Sequence, residues 1–162
     1  MNTKPASIQL MKALQDFSSD FDCQYALTLK FTNDCQNLKA ATAASAKFIR
    51  AMNIAVWGKQ YYQKRKAALS YFPVLQDGFG TKELHLHCAL GNIKPGIHYP
   101  QMLLIFHDVV NAIPTLKQKG KYLKPVDNPE NYKEYICREY NNYNPDYALF
   151  EQCTFGIKPV AR

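Results

Sequence analysis

Residues 69–91 read LSYFPVLQ, DGFGT, KELHLHCALG. Two runs of aromatic and aliphatic residues flank a short segment carrying an aspartate and two glycines. That composition reverses a chain between two strands. The stretch therefore predicts an antiparallel hairpin with a loop longer than two residues. No other feature constrains the fold as much, because a lone two-stranded ribbon is only marginally stable in water. The flanking segments must supply further strands or helices to cover it.

They have the patterns to do so. Residues 23–32, CQYALTLKFT, alternate, with Tyr25, Leu27, Leu29 and Phe31 on one side and Thr28, Lys30 and Thr32 on the other. This predicts a half-buried strand. Helical spacing is found over 7–17 (Ile8, Leu10, Met11, Leu14, Phe17), over the Ala-rich 36–56, over 100–113 and over 132–140. Pro100 suits a first helical turn and Pro114 closes that helix. Residues 117–125, KQKGKYLKP, read as a basic loop, and 148–157 as a last strand. The order helix, strand, helix, hairpin, helix, helix, strand predicts an α+β two-layer sandwich, with a central, largely antiparallel sheet and crossover helices. The 162 residues suit one domain over 1–162, with no repeat, low-complexity tract or linker.

Charge narrows the partners. Twenty Lys and Arg against thirteen Asp and Glu give +7, a balance that draws polyanions such as nucleic acid or anionic lipid. No apolar run approaches the roughly 18 residues a membrane span requires. The first residues have polar breaks where a secretion signal needs a continuous apolar stretch. A cytoplasmic protein without a membrane partner is expected. Its five cysteines (Cys23, Cys35, Cys88, Cys137, Cys153) are dispersed without a C-x-x-C pair, as reduced thiols would be.

Three groups of residues could carry chemistry. His85 and His87 sit at i and i+2 of a predicted strand, so both imidazoles project from the same face and could share a metal ion. Further ligands could come from Gln76 or Asp77 at the end of the partner strand, or from Glu83. The alternative is that each histidine is simply hydrogen-bonded to backbone at a sheet surface. Tyr135 and Arg138 lie three apart on one helix face. A tyrosine can attack phosphorus and hold a phosphodiester covalently, and a neighbouring cation would favour the phenolate or steady the phosphate. With eleven tyrosines in the chain, any motif containing one is cheap, and taken alone Tyr135 reads as an ordinary core or surface aromatic. Finally, Lys59, Lys64, Arg65 and Lys66 are interleaved with Trp57, Tyr61 and Tyr62, which could grip a backbone and stack bases or form a solvated face. No P-loop is present, so no built-in ATPase or helicase is expected. His98 and His107 read as structural.

In order along the chain, YALTLKFT (25–32), HLHCAL (85–90) and YICRE (135–139) resemble the three motifs of the HUH endonuclease superfamily. Its members include the rolling-circle replication initiators of phages, plasmids and small single-stranded DNA viruses. The histidines preceding the tyrosine is the order of replication initiators rather than conjugative relaxases. The stretch 57–76 is also similar to bacterial mobile-element members. The resemblance spans about residues 23–157. It implies an HUH fold derived from the ferredoxin-like one, with His85 and His87 as ligands of Mg2+ or Mn2+. It further implies Tyr135 as the nucleophile and Arg138 as its basic partner, where Lys is usual. The substrate would be single-stranded DNA at a replication origin, nicked and rejoined through a 5′-phosphotyrosine, with a separate host helicase and polymerase. The family's third ligand is commonly a Glu, and Gln76 stands there. Gln brings no charge, leaving Gln76 and Asp77 both as candidates. A one-tyrosine transposase or relaxase-like enzyme, or a non-catalytic DNA-binding domain with a decayed site, are the competing expectations.

Overall fold

The computed structural model describes residues 5–77, 83–139 and 148–160. The hairpin is its centre. Strand β2 (Ala68–Asp77) pairs antiparallel with β3 (Leu84–Gly91), in a register that sets Gln76 opposite His85 and Val74 opposite His87. The expected turn at 77–81 falls almost wholly on residues outside those described. On the other side of β3 lies β1 (Tyr25–Lys30), with Thr28 opposite His87 and Lys30 opposite His85. Two short edge strands complete an all-antiparallel five-stranded sheet, β4 (Tyr122–Pro125) beside β1 and β5 (Thr154–Ile157) beside β2. The order is β4-β1-β3-β2-β5. The architecture is α+β.

Helix α2 (Leu38–Trp57) connects β1 to β2. Asn37 starts it by accepting the Ala40 N–H at 2.9 Å, which satisfies one of the unpaired donors of a first turn. Gly58, at φ 89°, ends it in a backbone conformation that favours glycine. Its Ala41, Ala44, Phe48, Met52 and Val56 recur at helical spacing and are buried against Leu27, Leu29, Leu69, Tyr71, Leu86 and Leu90. Helix α4 (Tyr99–Asn111) adds Met102, Phe106 and Val110 to that layer. Each such side chain taken fully out of water contributes roughly 1.5–3 kcal/mol, and this face carries most of the core. The short α3 (Lys59–Gln63) follows α2.

The opposite face is covered in part. Leu14 of α1 (Pro5–Ser18) and Ile136 and Cys137 of α5 (Pro129–Glu139) pack with Phe21, Phe72, Val74 and Ala89. Strand β1 is therefore not half-buried as its alternation suggests: Ala26 and Thr28 are buried along with Leu27 and Leu29. The basic loop expected at 117–125 is also corrected, since Tyr122–Pro125 forms β4. Only Leu123 of that strand is buried, so a hydrophobic alternation never develops. Charged, short edge strands of this kind resist pairing with other chains. The last strand is shorter than expected, with a 3-10 turn over Phe150–Gln152 ahead of β5. All five cysteines are unpaired thiols.

Candidate active site

The sheet face that α1 and α5 leave partly open carries both histidines. Directly opposed residues of antiparallel strands share a face, so the register gathers Gln76, His85, Lys30, His87, Thr28 and Tyr122 from four adjacent strands. The two imidazoles stand edge to face with centroids 4.9 Å apart. Each is oriented by one hydrogen bond. The Nδ1–H of His85 donates to the Glu83 carbonyl at 3.2 Å, leaving Nε2 as the nitrogen that can take a ligand. Nδ1 of His87 lies 3.1 Å from the Thr28 hydroxyl, and the tautomer that donates there frees Nε2 in the same way. Such outer partners fix ring orientation in metal sites. His87 is 8% exposed. Burial, reinforced by the neighbouring His85, pushes its pKa down to about 4, so its imidazole is neutral at pH 7.

Gln76 is 5% exposed, and its Nε2 has no hydrogen-bond partner. A buried amide left unpaired costs about 1–3 kcal/mol, and native structures rarely tolerate one without a reason. Turning the amide over would direct an oxygen into the same space beside His85. A cation would satisfy it there. Two available imidazole nitrogens and that amide oxygen are a donor set that fits a small divalent ion. Asp77 ends β2 opposite Leu84; its side chain lies outside the described residues. Among the described residues no three His, Cys, Asp or Glu side chains converge on one point. Glu83 does not join the histidines. Its carboxylate is held by Lys117 at 2.9 Å and Lys30 at 3.9 Å, and the Lys117 hydrogen bond and charge keep its pKa below the usual range.

Helix α5 brings the tyrosine. Lys133, Ile136 and Cys137 face inward, at helical spacing, which turns Tyr135 outward along the sheet. Its ring meets His87 edge to face at 6.1 Å and is 43% exposed, so it is both near the histidines and open to a substrate. Tyr132, one turn earlier, stacks on Tyr135 at 6.2 Å. It was not singled out from the sequence, and it is the poorer nucleophile: its hydroxyl donates to the Cys88 carbonyl at 3.2 Å, and burial raises its pKa. Lys133 anchors the helix. Buried at 3% exposure, its Nζ donates to the Ser19 and Phe21 carbonyls at 2.8 and 3.2 Å and pairs with Glu130 at 2.8 Å. Arg138 lies one turn beyond Tyr135; its side chain, like all of Tyr140, falls outside the described residues.

The basic group of 57–66 is elsewhere. Trp57 is only 5% exposed and packs in the core under α2, so it is not positioned to stack on a base as the sequence suggested. Lys59, Tyr61, Lys64, Arg65 and Lys66 are exposed but precede the start of β2. Gln76 sits near the far end of that strand, about 25 Å away at the usual rise per residue. The cations nearer the histidines are instead Lys30 of β1, opposite His85, and Lys117, which pairs with Glu83. No family model, no curated protein and no solved structure matches the chain. No helix among the described residues is long and apolar enough to cross a membrane.

Proposed function

We propose that the chain is an HUH-type endonuclease that nicks and rejoins single-stranded DNA through a 5′-phosphotyrosine, as a rolling-circle replication initiator does. One observation carries the reading: an exposed tyrosine on α5 stands 6.1 Å from one of two histidines that share a sheet face. The reading is supported further by an antiparallel sheet whose middle strand carries both histidines and by a later helix that carries the tyrosine. A Mg2+ or Mn2+ ion held by His85, His87 and the Gln76 oxygen, or by Asp77, would withdraw charge from a scissile phosphate.

The remaining work falls to side chains. Tyr135 Oη attacks the phosphorus. A bond forms between phosphorus and the tyrosine oxygen as the bond to the 3′-oxygen breaks; the phenol loses a proton and the 3′-oxygen gains one. The freed 3′-hydroxyl can prime synthesis or attack the adduct to restore the strand. Because one phosphodiester is exchanged for another, no nucleoside triphosphate is consumed. Arg138 is placed by its motif to favour the phenolate or the phosphate charge. His87, neutral at pH 7, keeps its lone pair available rather than repelling a cation. The biological setting that follows is a replication origin in the cytoplasm, with helicase and polymerase supplied by the host.

The test is direct. Purified protein is incubated with single-stranded oligonucleotides and Mn2+, and mass spectrometry locates any covalent adduct. The expected product is an oligonucleotide on Tyr135, lost in Tyr135→Phe and in chelator. A protein that forms no adduct, or forms it at another tyrosine, sinks the assignment. Binding without cleavage would leave the DNA-binding domain with a decayed site, for which Gln76 is the main argument.

A further inference from the structure

Beside the histidines, the floor of the same depression continues across β1 to β4. The depression, of about 360 Å3, is lined by Thr28, Lys30, Glu83, His85, His87, Gly120 and Tyr122. Tyr122 is 36% exposed and stands opposite Thr28, which itself stands opposite His87. One row across three strands thus runs from the aromatic ring to the metal-type histidine. Cations stand in the rows on either side of the ring, and one of them, Lys30, also pairs with Glu83 at 3.9 Å. Lys124 Nζ lies 5.6 Å from its centroid, and Lys30 forms the next row along β1. Gly120, at φ 78°, brings the chain so close to Lys30 that an added Cβ would fall 2.7 Å from that side chain. A left-handed glycine is needed for this approach.

We propose that Tyr122 and the lysines Lys30 and Lys124 form a nucleotide subsite, in which a base of a single-stranded DNA stacks on the Tyr122 ring and its phosphates meet the two ammonium groups. An exposed aromatic face between cations, on an open floor, is the arrangement that holds single strands without reading sequence. A duplex, with its bases already stacked, offers the ring nothing. The row from Tyr122 through Thr28 to His87 places this subsite two strands from the histidine strand, with β1 between, so it would seat a nucleotide flanking the scissile phosphate. The inference rests on the nicking activity proposed above for its biological role, but the binding it claims does not require cleavage.

The experiment uses fluorescent oligothymidylate and the full chain carrying Tyr135→Phe, so that no covalent step intervenes. Tyr122→Leu is expected to weaken binding at least fivefold or so, the range for one lost base stack, while Tyr122→Phe retains it. Lys30→Ala and Lys124→Ala should each reduce the salt dependence of binding by about one phosphate contact. Tyr122→Trp provides a direct readout, since its fluorescence should be quenched on adding single strands and unchanged on adding duplex. Equal affinity for Tyr122→Leu and Tyr122→Phe, or no quenching of the tryptophan, overturns the subsite. If wild-type protein forms the Tyr135 adduct while Tyr122→Leu binds and reacts normally, the subsite alone fails. If no adduct forms but binding still depends on Tyr122, the subsite stands and the nicking activity falls.

Discussion

Lowering the pH should destabilise this protein through one residue. His87 has its pKa depressed from 6.5 to about 4 in the folded chain because it is buried in the sheet face beside His85. Between those values the unfolded chain binds a proton that the folded chain refuses, so the stabilising contribution is complete above pH 6.5 and is lost as pH falls towards 4. Linkage puts the loss at about 2 kcal/mol by about pH 5 and about 3 kcal/mol by about pH 4. Urea unfolding in chelator measures it, with the fluorescence of Trp57, the only tryptophan and a buried one, as the signal. Carboxylates such as Glu83, whose pKa is lowered, also weaken the fold in acid, but His87→Gln retains them. The wild type should therefore lose about 2 kcal/mol more than His87→Gln between about pH 7.5 and about pH 5. Equal losses in the two proteins, or a His87 ring titrating near 6.5 by NMR in the folded chain, would refute the reasoning.

Two further substitutions separate stability from function. Gln76→Met removes an amide whose Nε2 is buried without a partner, so urea unfolding should show a change within about 1 kcal/mol or a small gain, whereas calorimetric titration should show weaker Mn2+ binding. Lys133→Met leaves two backbone carbonyls without their charged donor and should cost about 2–3 kcal/mol by the same unfolding assay. Because Lys133 sits two residues from Tyr135, the yield of adduct should fall along with it, and Lys133→Arg should recover part of both.

The centre of the fold was legible because its signals are local. Alternation fixed β1, the glycine-containing turn fixed the β2–β3 pair, and the Ala-rich stretch fixed α2. What required long-range register was not legible. Thr28 as the partner of His87 depends on how β1 slides against β3, and nothing in YALTLKFT encodes that distance. Strand β4 escaped because its lysines and exposed Tyr122 obscure the only buried residue, Leu123; the signal available was the spacing of Tyr122 and Lys124 around it. The basic run at 59–66 misled for the opposite reason. Its composition is conspicuous, but only the topology reveals that it lies at the start of β2, at the opposite end of the strand from Gln76. Trp57 was grouped with those cations by proximity in sequence, while the helical phase of α2 turns it into the core.

The two halves of the candidate centre rest on elements of unequal strength. His85 and His87 belong to β3, the middle strand, bonded on both sides by β1 and β2. Their amides should be among the last in the chain to exchange with deuterium. Tyr135 belongs to a helix that covers one part of this sheet through Ile136, Cys137 and the Tyr132 hydrogen bond to β3, and is tethered to the segment before β1 by the buried ammonium of Lys133. Such a helix can open without disturbing the strands beneath it. In the proposed reaction, the covalently attached DNA end could then swing away and return to a binding floor that had never moved.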